Sequence, residues 1–330
     1  MTEHYEARET AADMAAVASL LEMADRLGVL YLLERDEPFS SADLAAAADV
    51  PEPGAAAYIH ALSAAALVVP EPGGKTFRGA ADLADRIYDS GYMSWVLNAN
   101  RPFIEHIGEF LRTPEEAARK YRRDGRQVAV ASQWMGSQAF YPVALSSILD
   151  AKPGHVVDLG AGTARLLIEI MLALPQTTSV ALDLDGPSCE QAVRAGAEAG
   201  VGDRLTVVER SIESVADDPS PLEGADVIHG GFVFHDMLPD QEETFDKVLY
   251  NCRESLRPGG IMAITDAVPF VPNERERRFS TIVTYYHHQF MTRRLMSEEE
   301  WIGRLSAAGF QDVRCMPHRF PTGRLFIAGK

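Results

Sequence analysis

Apolar residues recur at helical spacing through the first part of the chain. Met14, Val17, Leu20, Leu21, Ala24, Leu27 and Leu30 share one face between Ala11 and Leu33, which predicts an amphipathic helix. Ser40-Ser41-Ala42-Asp43 offers an N-cap hydroxyl with an acid in the first turn and predicts a short helix through Ala48. Pro51 and Pro53-Gly54 break it, and a further helix is predicted from Ala55 to Leu67. Val68 to Phe77 then reads as two short strands joined by a Pro-Gly-Gly turn. From residue 91 to 148 the pattern is again mostly helical, with Trp95, Phe103, Phe110, Trp134 and Phe140 suited to a core or an interface.

The pattern changes at Gly154. Short apolar runs at Val156–Leu159, Ser179–Asp183, Leu205–Val208, Asp226–His229 and Ile261–Thr265 alternate with helical segments, among them Cys189–Ala199 and Gln241–Leu256. Strands alternating with helices predict a doubly wound, mostly parallel α/β sheet. The expected organisation is a helical domain over 1–95, a helical connector contributing to a substrate pocket over 96–150, and a Rossmann-like domain over 151–330.

Charge narrows what the first domain does. Three helices and a small hairpin are the pattern of a winged helix, a DNA reader in many settings. Residues 1–100 hold six Lys and Arg against sixteen Asp and Glu, and the whole chain carries a net charge of -17. Such a surface repels phosphate backbones and anionic lipids, so a dimerisation scaffold is expected, with no nucleic-acid or membrane partner. Three dispersed cysteines, Cys189, Cys252 and Cys315, give no disulfide framework and no thiolate metal motif. The acidic start lacks a basic-then-apolar signal, and no apolar run is long enough to span a bilayer, so the expected location is cytoplasmic.

Val157-Asp158-Leu159-Gly160-Ala161-Gly162-Thr163-Ala164 links the first strand of the second half to its first helix. Gly160 and Gly162 allow close approach of backbone to a ligand at the carboxyl edge of the sheet. Asp183 ends the next strand 21 positions after Gly162, where its carboxylate can accept ribose hydroxyls. NAD and S-adenosylmethionine (SAM) both suit this layout. Arg165 replaces the third glycine of the dinucleotide fingerprint. The DLGAG segment, and Leu256-Arg257-Pro258-Gly259-Gly260 ahead of a strand, resemble motifs of class I SAM-dependent methyltransferases. A helical dimerisation domain ahead of this core resembles the small-molecule O-methyltransferases of plant type. The resemblance implies a homodimer that binds SAM through Asp158, Gly160, Gly162 and Asp183. Ser211 and Ile212 stand where that family contacts adenine, although its usual Gly-Asp is absent, and Ala164 replaces a third motif glycine.

The loop after the fourth strand reads Gly230-Gly231-Phe232-Val233-Phe234-His235-Asp236-Met237. Imidazole titrates near neutrality, which suits a general base. His235-Asp236 resembles the HDW motif whose histidine deprotonates a phenol, and Phe232 is expected beside the donor. A helix predicted over 273–291 carries His287 and His288, adjacent residues pointing about 100° apart, so at most one serves a given site. Periodicity does not choose between them.

Tyr121-Arg122-Arg123-Asp124, Phe234-His235-Asp236 and Tyr286-His287-His288 occur in the order found in metal-dependent α-keto acid C-methyltransferases of the phenylpyruvate C3-methyltransferase type. That resemblance implies iron or zinc held by His235 and His288, with Arg123 on the carboxylate of a 2-oxo acid. It also implies methylation of the β-carbon through a metal-stabilised enolate, for β-methyl amino acid or secondary-metabolite biosynthesis. Asp236 would orient a ligand or take the proton, and Trp95, Tyr285 and Phe290 would line the pocket. The alternative is a metal-free O-methyltransferase of an aromatic or polyketide hydroxyl with His235 as base. A silent SAM-fold binding protein is the third reading.

Overall fold

The computed structural model describes residues 2–271 and 273–330, without the side chains of residues 2–10 and 275. The chain divides into two compact units, Met1–His106 with Tyr121–Gln138, and Ile107–Lys120 with Ala139–Lys330. Residues 96–150, expected as one connector, are shared between them.

In the first unit, helices Thr2–Arg26, Leu30–Glu34, Ser41–Ala48 and Glu52–Ala64 surround a core of Leu21, Leu33, Phe39, Leu44, Ile59 and Leu62. Ser40 caps the third of these through a reciprocal bond with Asp43, as its sequence predicts. The expected hairpin, Val68–Pro70 with Thr76–Gly79, gains a third antiparallel strand at Phe39–Ser40. Gln127 Nε2 donates to the buried Glu22 carboxylate at 2.7 Å and to Ser94 Oγ at 3.0 Å, tying helix Gly125–Gly136 to its neighbours.

The second unit is a sheet of seven strands: β1 (His155–Leu159), β2 (Thr178–Asp183), β3 (Leu205–Glu209), β4 (Ala225–Gly231), β5 (Leu256–Ala267), β6 (Gln311–Pro317) and β7 (Gly323–Gly329). Their order is β3-β2-β1-β4-β5-β7-β6, parallel except for β7, which runs antiparallel to both neighbours. Strand order reverses between β1 and β4, and a crevice at that switch point is where open α/β sheets bind ligands. Helices α1 (Tyr141–Asp150), α2 (Arg165–Ala173) and α3 (Gly186–Glu198) precede α4 (Glu242–Ser255), α5 (Glu274–Tyr285) and α6 (Glu298–Ala307).

Strand alternation sends Val156, Val227, Ala263 and Leu325 to one face, where Ala144 and Ile148 of α1 and Leu167 and Ile170 of α2 cover them. Val157, Ile228, Ile264 and Phe326 face the other way, onto Phe245 and Leu249 of α4 and Trp301 and Leu305 of α6. Leu256-Arg257-Pro258-Gly259-Gly260, expected as a turn before a strand, lies within β5. It forms an irregularity there: Ala225 pairs with Leu256 but Val227 with Ile261, and Gly259 takes a φ of +79°.

Trp301 is fully buried between Phe234, Phe245 and Phe326. Trp301→Ala is expected to destabilise this unit by about 3–5 kcal/mol, read as an earlier urea midpoint with an unchanged slope. A shift under about 1 kcal/mol would show that the face is not packed as described.

Candidate active site

The β1–α2 loop is shaped by its glycines. Gly160 has a φ of +72°, and a Cβ there would come within 2.3 Å of Val233 Cγ1. Gly160 and Ala161 donate to the Leu182 carbonyl, at 2.8 and 3.1 Å. Gly162 has a φ of +54° and open space where a side chain would be, and its N–H donates to Asp183 Oδ2 at 2.7 Å. Asp183 Oδ1 accepts from the Asp185 N–H at 2.9 Å. The carboxylate is therefore fixed in direction and keeps lone pairs for a ligand's hydroxyls. Ala164 takes the left-handed conformation, φ +59°, which the sequence would more readily have given to glycine.

Asp158, expected to face the donor, has a partner that sequence reading missed. Its Oδ1 lies 2.7 Å from His229 Nδ1, with both side chains buried and His229 Nε2 without a hydrogen-bond partner. Asp158 and His229 are register neighbours on β1 and β4, and only the strand pairing makes that visible. Ser211 opens a short 3-10 turn, Ile212–Ala216, in which Ile212 is buried. The neighbouring Arg210 is engaged by Ser214 and Asp218.

His235 lies in a 3-10 turn, Phe234–Met237, just past β4. Phe234 is fully buried and anchors the turn between Phe245 and Trp301. His235 is also buried, and its Nδ1 lies 2.7 Å from Asp266 Oδ1, near the end of β5. Asp266 Oδ1 also accepts the Ala267 N–H at 2.8 Å. A carboxylate only accepts, so His235 carries its proton on Nδ1 and presents a lone pair at Nε2. Burial opposes the charged imidazolium, but the Asp266 charge and hydrogen bond, with Asp236 adding to them and Arg293 opposing, raise its pKa above the ordinary value. Asp236 Oδ1 stands 3.4 Å from His235 Nε2 and is ion-paired with Arg293. Neither Asp266 nor Arg293 was singled out from sequence.

The histidine that stands beside His235 is His287, not His288. The rings of His235 and His287 meet edge to face with centroids 4.9 Å apart, and His287 Nδ1 bonds the Val283 carbonyl at 2.7 Å. His287 is buried and His288 exposed. The helix predicted over 273–291 is α-helical only to Tyr285, and Tyr286–Phe290 is a π-helical turn. His287 and His288 both lie within that turn, and it is the ring of His287 that meets His235. Among the described residues, no group of three or more His, Cys, Asp or Glu is placed to hold a metal ion.

Phe290 is buried against Phe110 and Tyr286, and Tyr285 is partly exposed. Phe232, with a φ of +56°, donates its N–H to the Thr265 carbonyl at 2.8 Å and places its ring 4.7 Å from Phe140. Arg123 and Trp95 belong to the first unit: Arg123 follows helix Pro114–Lys120 in a non-helical stretch, and Trp95 is buried in the π-helical turn Ser94–Ala99. Among the described residues, no helix is long and apolar enough to cross a membrane.

Residues 157–262 match the profile of a family described as a methyltransferase domain. Over 155 residues the chain is 32% identical to aclacinomycin 10-hydroxylase of Streptomyces purpurascens, covering 47% of this chain and 39% of that protein. Over 116 residues it is 34% identical to 2,7-dihydroxy-5-methyl-1-naphthoate 7-O-methyltransferase of Streptomyces carzinostaticus, covering 35% of this chain and 32% of that protein. The chain thus spans less than half the length of these curated relatives. Human N-acetylserotonin methyltransferase, solved in complex with SAM, superposes with a TM-score of 0.60 over 99% of this chain and 97% of that one, at 19% identity. The chain has the Rossmann-like α/β fold of this solved methyltransferase, with a helical region ahead of it, and over residues 157–262 it matches the methyltransferase-domain profile.

Proposed function

We propose that this protein transfers a methyl group from SAM to a hydroxyl of an oxygenated aromatic small molecule, with His235 as general base. The observation that carries this reading is the buried His235–Asp266 pair. A phenol with a pKa near about 10 is a poor nucleophile at neutral pH until a base takes its proton. The bound sulfonium donor supplies an electrophilic methyl group. His235 accepts the phenol proton at Nε2, and the Asp266 carboxylate balances the imidazolium that forms. A carbon–oxygen bond to the methyl replaces its bond to sulfur, the sulfur keeps the electron pair, and the proton passes from His235 to solvent. Asp236, already held by Arg293, suits a positioning role better than that of base. The donor would lie along Gly160 and Gly162, with Asp183 on its ribose and Asp158, Ser211, Ile212 and Phe232 around it. The oxygenated aromatic named in the 7-O-methyltransferase relative supports the choice of acceptor.

A second reading rests on a different observation, the contact of His235 with His287. Those two imidazoles would hold iron or zinc, and the cation would polarise a 2-oxo acid and acidify its β-carbon. Tyr285 and Phe290 would line the pocket. The main reading needs only the His235–Asp266 pair and one proton transfer, and the curated relative favours it. A homodimer belongs to either reading, and sedimentation velocity is expected to give a dimer; a monomer at micromolar concentration would remove it.

His235→Ala is expected to lower kcat with a phenolic acceptor by about 10²–10⁴-fold while SAM affinity holds. Only the neutral imidazole is a base, and its pKa is raised. kcat/KM should therefore climb with pH through a midpoint above the ordinary value of about 6.5, then level off. Asp266→Asn removes a charge that favours the imidazolium, so the midpoint should move down and the plateau fall. A pH-independent rate, or full activity in His235→Ala, would overturn the base assignment. Chelator dialysis separates the two readings. Unchanged methylation of a phenol supports the first. About one ion per chain, lost in His287→Ala together with turnover of a 2-oxo acid, would establish the second.

A further inference from the structure

Asp158 and His229 stand side by side on β1 and β4. They continue, one step nearer the carboxyl edge, the row that Val156 and Val227 begin. Helices α1 and α2 cover that row with Ile148, Leu167 and Ile170. Two more apolar side chains would complete the face, yet the chain places a carboxylate and an imidazole there, both buried. Burying such groups costs stability even when they are paired, so packing alone does not account for them.

A carboxylate only accepts, so His229 Nδ1 donates to Asp158 Oδ1, at 2.7 Å. The ring is also held from its far side. It leans along β4 toward Gly231, where a Cβ would come within 3.3 Å of Cε1 and 3.9 Å of Nε2. A side chain at 231 would press on the ring, and the second glycine of Gly230-Gly231 gives it room. The imidazole thus fixes the direction of the carboxylate through one oxygen and leaves the other for a ligand. Among the described residues, no Lys or Arg is paired with Asp158, so its charge meets no fixed cation.

β1 lies between β2, which ends in Asp183, and β4, which leads into the His235 turn. A donor with its ribose on Asp183 and its methyl directed at His235 crosses the end of β1. Beyond the ribose the donor carries two positive groups, a sulfonium and the ammonium of its amino-acid tail. The sulfonium has no N–H or O–H to give. Only the ammonium can donate a hydrogen bond to a carboxylate, and such charge-assisted bonds are the strong ones.

We propose that His229 is a positioning residue of the donor site, aiming the Asp158 carboxylate at the ammonium of bound SAM. The inference rests on the SAM-dependent methyltransferase reading and adds to it a residue outside the glycine loop. His229 touches neither donor nor acceptor; it acts through Asp158.

The test is calorimetry with S-adenosylhomocysteine and with its deamino analogue, which keeps the thioether and the carboxylate and lacks the amino group. The native protein is expected to bind S-adenosylhomocysteine at least about tenfold more tightly than the analogue. His229→Leu should lose about tenfold on S-adenosylhomocysteine and leave the analogue unchanged. His229→Gln, whose amide can donate to Asp158, should recover part of the loss. Asp158→Asn should show the same pattern, and adding His229→Leu to it should cost nothing further. Should His229→Leu not fold, ¹⁵N NMR of the histidine-labelled native protein carries the test, with His229→Gln assigning the resonance. The His229 Nδ1–H signal should shift when S-adenosylhomocysteine binds and hold when the analogue binds. No preference of the native protein between the two ligands, equal losses on both in His229→Leu, additive losses in the double variant, or the same NMR shift with both overturns the role of His229 alone. Failure of the native protein to bind S-adenosylhomocysteine takes down the methyltransferase reading on which the proposal stands.

Discussion

The hydrogen bond between His235 and Asp266 is the constraint on which the reacting site depends. It spans 31 positions and joins the turn after β4 to the end of β5. Asp266 is fully buried, and a carboxylate in such a place is tolerated only when its charge is met by donors. His235 and the Ala267 N–H are those donors, both to Oδ1, while Oδ2 is buried without a hydrogen-bond partner. The bond sets the imidazole's direction and its tautomer together, and it favours the protonated form that a base must pass through. Phe234, one residue earlier, anchors the same turn among Phe245 and Trp301. A polar tie and an apolar anchor thus hold one short turn.

That turn is also coupled to the donor loop. Gly160 leaves no room for a side chain because Val233, two residues before His235, fills the space. The glycine signature therefore does two things: it permits a left-handed backbone at the β1–α2 turn, and it lets the loop that carries His235 press against the glycine loop. Val233 lies between the two, and its packing sets their separation.

Much of this was legible in the sequence. Five parallel strands appear as short apolar runs because both faces of the sheet are covered, and GxG with a following acid marks the switch point. One end of the sheet, β7 and β6, is not legible in the sequence. β6 is an edge strand with mixed polarity, QDVRCMP, mostly half-buried or exposed, so no apolar run announces it. Asp266 was passed over because its partner is remote in sequence, and His229 because only strand register puts it beside Asp158. His287 and His288 show a different limit. A motif match selected His288 of two adjacent histidines, whereas the fold places the ring of His287 beside His235. The winged-helix pattern was visible in the first unit because caps and proline breaks are local, whereas the third strand of its sheet depends on a remote pairing of Phe39 with Phe77.

The most direct test of the central claim is ¹⁵N NMR of histidine-labelled protein, with His235→Asn used to assign the resonance. A His235 imidazole protonated at Nδ1, titrating above the ordinary value of about 6.5, is the expected result. A neutral ring protonated at Nε2, or a titration below that value, would contradict the pairing with Asp266 and the role of base that follows from it.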